Sequence, residues 1–273
     1  MEPVARSARA LVLALQYFTR IPIPAALARW TGFDAALQRA SLAHFPAAGI
    51  LVAAVASVCY WLADRFLPPS AFTPLVAAVL STGATVLFTG ALHEDGLADT
   101  ADGLGGSADR ERALEIMKDS RLGSFGVLAL LLALLAKVSL LALIGAASGW
   151  AGAAAALLGG HVGSRGLTLG IVASLPNVGR AAGSKSLPLA ATIGRLELAI
   201  AAAWCAAAFA LALRLAPLAQ IAAGLAGAVL AVLWIRRLLA RRLQGFTGDG
   251  LGAAQQLCEA AFYLGFALAL GRG

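Results

Sequence analysis

The sequence predicts an all-α protein, a polytopic membrane helix bundle of about seven transmembrane helices behind an N-terminal interfacial helix. Three observations predict it. Hydrophobic residues make up 60% of the chain and mean hydropathy is +0.83, outside the range of a soluble domain. Only 13% of residues are charged. The positive residues gather in alternate connecting segments, as they do between membrane spans.

Residues 4–20 are charged at both ends and too short to cross ~30 Å of hydrocarbon, which takes ~20 apolar residues. They are predicted to form a helix at the cytoplasmic interface, stopped by Pro22 and Pro24. Arg29, Asp34 and Arg39 follow in a polar link. Seven apolar spans are expected near 43–63, 74–92, 124–146, 150–173, 196–214, 217–235 and 253–270. With the N-terminus inside, sixteen Lys and Arg fall on inner segments against three on outer ones (Arg65, Arg214, Arg272). That bias places the Asp-rich segment and the loops around 174–195 and 243–252 on the cytoplasmic face.

The net charge of +7 then belongs to membrane-flanking loops. The lipid bilayer is the expected partner and nucleic acid is not. Cys59, Cys205 and Cys258 lie in apolar segments without paired spacing and read as core residues. The apolar run 8–18 lacks a small-residue cleavage pattern, so no cleavable signal peptide is expected. A transporter would show repeated halves and polar groups near mid-membrane. No internal repeat is evident and the motif-bearing loops share one side, which points to an enzyme at the membrane surface.

Eight of the fourteen acidic residues lie between Glu94 and Asp119. Within His93-Glu94-Asp95-Gly96-Leu97-Ala98-Asp99-Thr100-Ala101-Asp102-Gly103-Leu104-Gly105-Gly106, the residues Asp95, Asp99 and Asp102 are spaced i, i+4, i+7, one face of a helix. Stacked carboxylates repel, so a cation is expected among them, and all-oxygen ligands suit Mg²⁺. Gly96, Gly103, Gly105 and Gly106 would let backbone approach a ligand and offer N–H groups to phosphate. Ser107 is the expected N-cap of a following helix on which Lys118 and Arg121 share a face and serve as phosphate donors.

Lys137, His161 and Arg165 sit inside apolar spans, where ionisable groups face a polar interior. Arg165 is expected to reach the site and bind phosphate. Lys137 either pairs with a carboxylate or snorkels. His161 reads as a hydrogen-bonded interior residue. Pro176-Asn177-Val178-Gly179-Arg180, with the basic stretch to Lys185, is a candidate nucleotide or phosphate loop. Asp249, before the last span, reads as a second ligand set with Glu259 about three turns on, or as an N-cap alone.

The His93–Gly106 stretch, with Ile116-Met117-Lys118-Asp119-Ser120-Arg121-Leu122-Gly123-Ser124-Phe125-Gly126, resembles the cobalamin synthase family, the adenosylcobinamide-GDP ribazoletransferases. Leu15-Gln16-Tyr17-Phe18-Thr19-Arg20-Ile21-Pro22, Ser164-Arg165, Pro176 with Arg180, and Thr247-Gly248-Asp249 through Glu259 are also similar, so the resemblance covers nearly the whole chain in order. Glu94 departs from it, adding a carboxylate where the family carries an apolar residue.

The resemblance implies one catalytic domain over 1–273 in the bacterial inner membrane, and a Mg²⁺-dependent transfer. Adenosylcobinamide-GDP loses GMP to α-ribazole, or its 5′-phosphate, and a phosphodiester forms as the last assembly step of cobalamin synthesis. On that reading Asp95, Asp99 and Asp102 hold Mg²⁺, with Asp249 as a further ligand. Lys118, Arg121 and Arg165 neutralise phosphoryl oxygens, with Arg180, Gly105 and Gly106 binding substrate. His93 or a carboxylate takes the ribazole proton, and Asp249 and Glu259 complete the metal site or bind ribazole. Oligomeric state is left open, a homo-oligomer included. The alternatives are a CDP-alcohol phosphotransferase, whose Ala-Arg pair after the second Asp-Gly is absent, an Asp-rich prenyltransferase and a transporter.

Overall fold

The computed structural model describes residues 2–179 and 192–271. The chain there is helical, with one isolated bridge between Asn177 and Phe246. Helix α1, Glu2–Phe18, ends before Pro22, as the sequence predicts. Its Ala10, Ala14 and Phe18 are buried at i, i+4, i+8, the stripe a surface-lying helix presents to its support.

The link after it contains two short helices that the sequence analysis did not predict, α2 (Ala25–Thr31) and α3 (Ala35–Ser41). Asp34 is the N-cap of α3, accepting from the Leu37 N–H at 2.7 Å, so this carboxylate builds local structure.

Helix α4 (Phe45–Phe66) and helix α5 (Thr73–Thr89) follow. The predicted span 74–92 ends early because Gly90 (φ 68°) and Ala91 (φ 58°) are both left-handed. The chain there turns 88° into α6, Leu92–Gly106. α6 therefore runs at a steep angle to α5 and does not continue it.

Ser107, expected to cap the next helix, instead follows the last residue of α6. Asp109 caps α7 (Arg110–Ile116), accepting from Arg112 N–H at 2.8 Å. A carboxylate one residue from the first helical turn displaces the hydroxyl because it also complements the helix dipole.

Helix α8, Ser124–Ser174, holds the two predicted spans 124–146 and 150–173 and is broken at Gly149 (φ 66°). Lys137 and His161 are 24 residues apart yet both touch Glu259. A continuous helix would hold them about 36 Å apart, so the two arms fold back on each other at Gly149.

Helices α9 (Arg195–Ala212), α10 (Leu218–Arg242) and α11 (Gly248–Leu268) complete the bundle. Among the described residues, four helical stretches are long and apolar enough to cross a membrane, five if α5 with α6 is one broken span. One of the four is α8, which supplies two arms. α11 falls outside that set because Gln255, Gln256 and Glu259 interrupt it, although it sits at the centre against α6, α8 and α10. The most apolar windows of α8, α9 and α10 are only 17–28% buried. Leu128, Leu131, Leu132 and Leu135 form an outward stripe suited to lipid. α10 and α11 approach through Gly224, Gly227 and Gly265, where an added Cβ would strike facing backbone or Phe262.

Candidate functional site

The α5–α6 corner aims α6 across one end of the bundle. Gly96 lets it settle on α11: a Cβ there would lie 2.8 Å from the Asp249 carbonyl oxygen and 3.2 Å from the Gly252 Cα. This contact brings Asp95 and Asp99 to the first turn of α11, where Asp249 sits. Thr247 caps that turn, accepting from Gly250 N–H at 3.0 Å, so the cap role falls to Thr247 and not to Asp249.

Asp95 is exposed, while Asp99 and Asp249 are partly buried. Burial, then the charges of Asp95, Asp249 and Asp102, push the Asp99 carboxyl up to about 7. Burial and Asp95 push Asp249 up to about 6. Both shifts arise from burial and from neighbouring carboxylates. Tyr17, at the end of α1, is raised by burial and then by Asp249, which places it beside the same group.

Asp102 departs from its expected use. Its two oxygens accept the backbone N–H groups of Gly123 and Gly126, each at 2.8 Å, and it is 8% exposed. It fastens the start of α8 to α6. A carboxylate at a helix N-terminus satisfies orphan donors and complements the dipole, so its first task is structural.

Gly105 and Gly106 do not form a phosphate loop. They are the last turn of α6, and a Cβ at Gly105 would meet the Phe125 ring at 2.6 Å. Gly103 packs on Met117 and the Ala113 carbonyl. The close approach these glycines allow is to protein.

Lys118 and Arg121 do not share a helix face, because α7 ends at Ile116. They lie on the exposed turn into α8, where Arg121 pairs with Asp119 at 2.5 Å. Hydrogen bonds from Arg121 hold Asp119 down to about 2.

The other predicted loops meet at the same end. Phe246 N–H donates to the Pro176 carbonyl and Val178 N–H to the Phe246 carbonyl, both at 2.9 Å. Arg242 donates to the carbonyls of Leu104 and Ser107, and Arg110 to that of Leu243. Arg180 and Lys185 lie outside the described residues.

Arg165, His93 and Glu259 are not on the carboxylate ledge. They belong to a buried polar core behind α6. Glu259 accepts from Lys137 Nζ (2.7 Å), Gln255 Nε2 (2.7 Å) and Tyr263 Oη (3.0 Å), and meets His161 Nδ1 at 3.2 Å. Four partners saturate a carboxylate, which corrects the expectation that it binds metal or ribazole. Lys137 pairs rather than snorkels, and His161 is an interior residue, as expected. Arg165 donates to the His161 carbonyl at 2.9 Å and lies over the Phe45 ring at 5.5 Å. It is 1% exposed, so the expected phosphate contact is not made from this position. His93 stacks on Phe45 at 5.8 Å, its Nε2 without a partner. Glu94 accepts from Gln256 Nε2 at 3.0 Å and lies in this core, not in the carboxylate group.

Sequence reasoning missed Gln255, Gln256 and Tyr17. The two amides were legible: adjacent Gln side chains in an apolar helix need partners.

Among the described residues no group of three or more His, Cys, Asp or Glu side chains is placed to hold a metal ion by itself. Mg²⁺ keeps several waters and is bound through one or two carboxylates plus substrate phosphates, so a pair of carboxylates on this ledge would be enough to hold it. The raised Asp99 and Asp249 are the charges such an ion would relieve.

Comparison with known proteins gives one consistent result. The family profile described as cobalamin-5-phosphate synthase matches residues 10–267. A Polaromonas species protein named adenosylcobinamide-GDP ribazoletransferase is 53% identical over 99% of this chain and 100% of its own length. Proteins of the same name from Albidiferax ferrireducens and Leptothrix cholodnii are 52% identical (96% of this chain, 98% of the relative) and 45% identical (97% of each). No solved structure matches the chain.

Proposed function

We infer the reaction from one premise: the chain belongs to the cobalamin-5-phosphate synthase family. It is an adenosylcobinamide-GDP ribazoletransferase. Adenosylcobinamide phosphate passes from adenosylcobinamide-GDP to α-ribazole, or to α-ribazole 5′-phosphate, as the last assembly step of cobalamin synthesis. The bond from the transferred phosphorus to GMP breaks, a bond to a ribazole hydroxyl oxygen forms, and the hydroxyl proton is released.

We propose that the ledge of Asp95, Asp99 and Asp249 is where this occurs, on the cytoplasmic side of the bacterial inner membrane. The observation that carries it is that Asp99 and Asp249, drawn together with Asp95 at one end of an apolar bundle, are both raised by burial and by neighbouring carboxylates. These residues would hold Mg²⁺, which when bound neutralises pyrophosphate oxygens and so favours departure of GMP. Asp102 keeps the turn carrying Lys118 and Arg121 against α6. The Arg121–Asp119 pair is exposed, and surface ion pairs contribute little, so Arg121 can exchange Asp119 for a phosphoryl oxygen. The ribazole proton falls to a ledge carboxylate that the ion leaves free, since His93 is buried in the polar core.

Purified protein with adenosylcobinamide-GDP and α-ribazole, with and without Mg²⁺, tests this. Cobalamin and GMP appearing only with Mg²⁺ is the expected result. Turnover that survives chelation overturns the metal assignment.

A further inference from the structure

We propose that Glu259 is a positioning residue: a buried charge network centred on it sets the place of α6 and hence of the reactive carboxylates. The inference rests on the ribazoletransferase reading of the ledge and concerns residues that do not touch it.

The network has a direction. Glu259 pairs with Lys137 at 2.7 Å, and both side chains are at most 2% exposed. Lys137 also donates to Gln256 Oε1 at 3.2 Å. Gln256 turns its amide nitrogen to Gln255 Oε1 at 2.9 Å and to Glu94 Oε1 at 3.0 Å. Glu94 is the residue before Asp95. An unbroken chain of side-chain bonds thus runs from the middle of the bundle to the first turn of the carboxylate helix. Both arms of α8 enter it, through Lys137 and His161.

The charges balance. Glu94 and Glu259 are buried with Lys137 and Arg165, two of each sign. Such a set is costly to assemble in an apolar bundle and weak evidence for stability alone. Its retention calls for a task, and fixing a register is the best-attested one. The fastening is directional because Glu94 is held through one oxygen only. Its Oε2, His93 Nε2 and Arg165 Nε are buried without partners. Within this buried core α6 is joined by the single Gln256 bond, while Asp102 ties its far end to the start of α8 and Gly96 keeps its apolar contact with α11.

Gln256→Met cuts the link without changing charge, and Glu259→Gln removes the hub. The expected result for each in detergent is a folded protein whose kcat falls at least tenfold while KM for both substrates stays within twofold. The double variant should be no slower than the slower single, because both act through one chain of bonds. A raised KM with intact kcat for Glu259→Gln overturns the proposal, since Glu259 would then bind substrate. Multiplying effects in the double variant, or a fall in melting temperature with normal turnover per folded molecule, overturns it too. Hydrogen exchange at the 95–103 amides separates this from the reaction assignment. If the wild type makes no cobalamin, the ribazoletransferase reading fails on its own. The positioning claim then stands if Gln256→Met speeds exchange along α6, and falls if exchange is unchanged.

Discussion

At the scale of single residues, the carboxylates divide by what already holds them. Asp99 has a folded pKa of about 7 against 3.8 for the free group. A raised pKa means the fold favours the protonated form. Its contribution to stability is full below about 4 and is lost as pH rises through 7. Cation-free protein should therefore melt lower at pH 8 than at pH 5, and Asp99→Asn should shrink that difference. Mg²⁺ should raise the melting temperature at pH 8 and do little at pH 5, where protons occupy the site. Equal Mg²⁺ stabilisation at both pH values would remove Asp99 from the ligand set. Asp102 behaves differently because its oxygens are engaged by Gly123 and Gly126. Hydrogen bonds to charged groups are worth about 1.5–3 kcal/mol each. Asp102→Ala should cost about 3 kcal/mol of stability in a denaturant titration, whatever the Mg²⁺ concentration. The sequence made both residues conspicuous but did not separate them, since i, i+4, i+7 spacing says which face a residue shares and not what comes to meet it.

At the scale of elements, length and apolar character were legible and the joints were not. The run 124–173 read as two spans, and the break falls at Gly149. That the arms fold back is visible only when Lys137 and His161 reach one Glu259. α2 and α3 were missed because seven-residue helices in a charged link carry no periodicity long enough to read. The glycines of α6 read as ligand-facing because a sequence shows the absence of Cβ but not which surface fills the space. Gly96 is the decisive one. Gly96→Ala puts a methyl 2.8 Å from the Asp249 carbonyl and 3.0 Å from its Cα, and backbone on both helices cannot yield cheaply. α6 should lift from α11, separating Asp95 and Asp99 from Asp249. At least a tenfold loss of turnover is expected, with helical circular dichroism unchanged. Wild-type turnover in that variant would mean the two carboxylate sets act independently.

At the scale of the whole molecule, the bundle has two unlike ends. The ends of α6, α10 and the loops at 176–178 and 245–249 meet through Arg242, Arg110 and the Pro176–Phe246 pairing, so the motif-bearing segments share one end. The turn between α4 and α5, with Ser70 hydrogen-bonded to Thr73, is separated from that end by helices of 22 and 17 residues. At about 1.5 Å per residue these reach 25–33 Å, the depth of a bilayer's hydrocarbon. By sequence, Lys and Arg favour the segments expected inside sixteen to three, and segments so charged tend to stay on the cytoplasmic side. The substrates proposed for this enzyme are charged and would not cross the bilayer to reach an outer site. Both arguments predict the same orientation, and one labelling experiment checks it. In a background with Cys59, Cys205 and Cys258 changed to alanine, Ser70→Cys and Ser107→Cys are exposed to a membrane-impermeant thiol reagent on intact spheroplasts. Ser70→Cys should be labelled at once and Ser107→Cys only after lysis. The reverse pattern would turn the bundle over and put the carboxylate ledge outside the cell, where neither GMP release nor a cytoplasmic supply of activated corrinoid fits the chemistry.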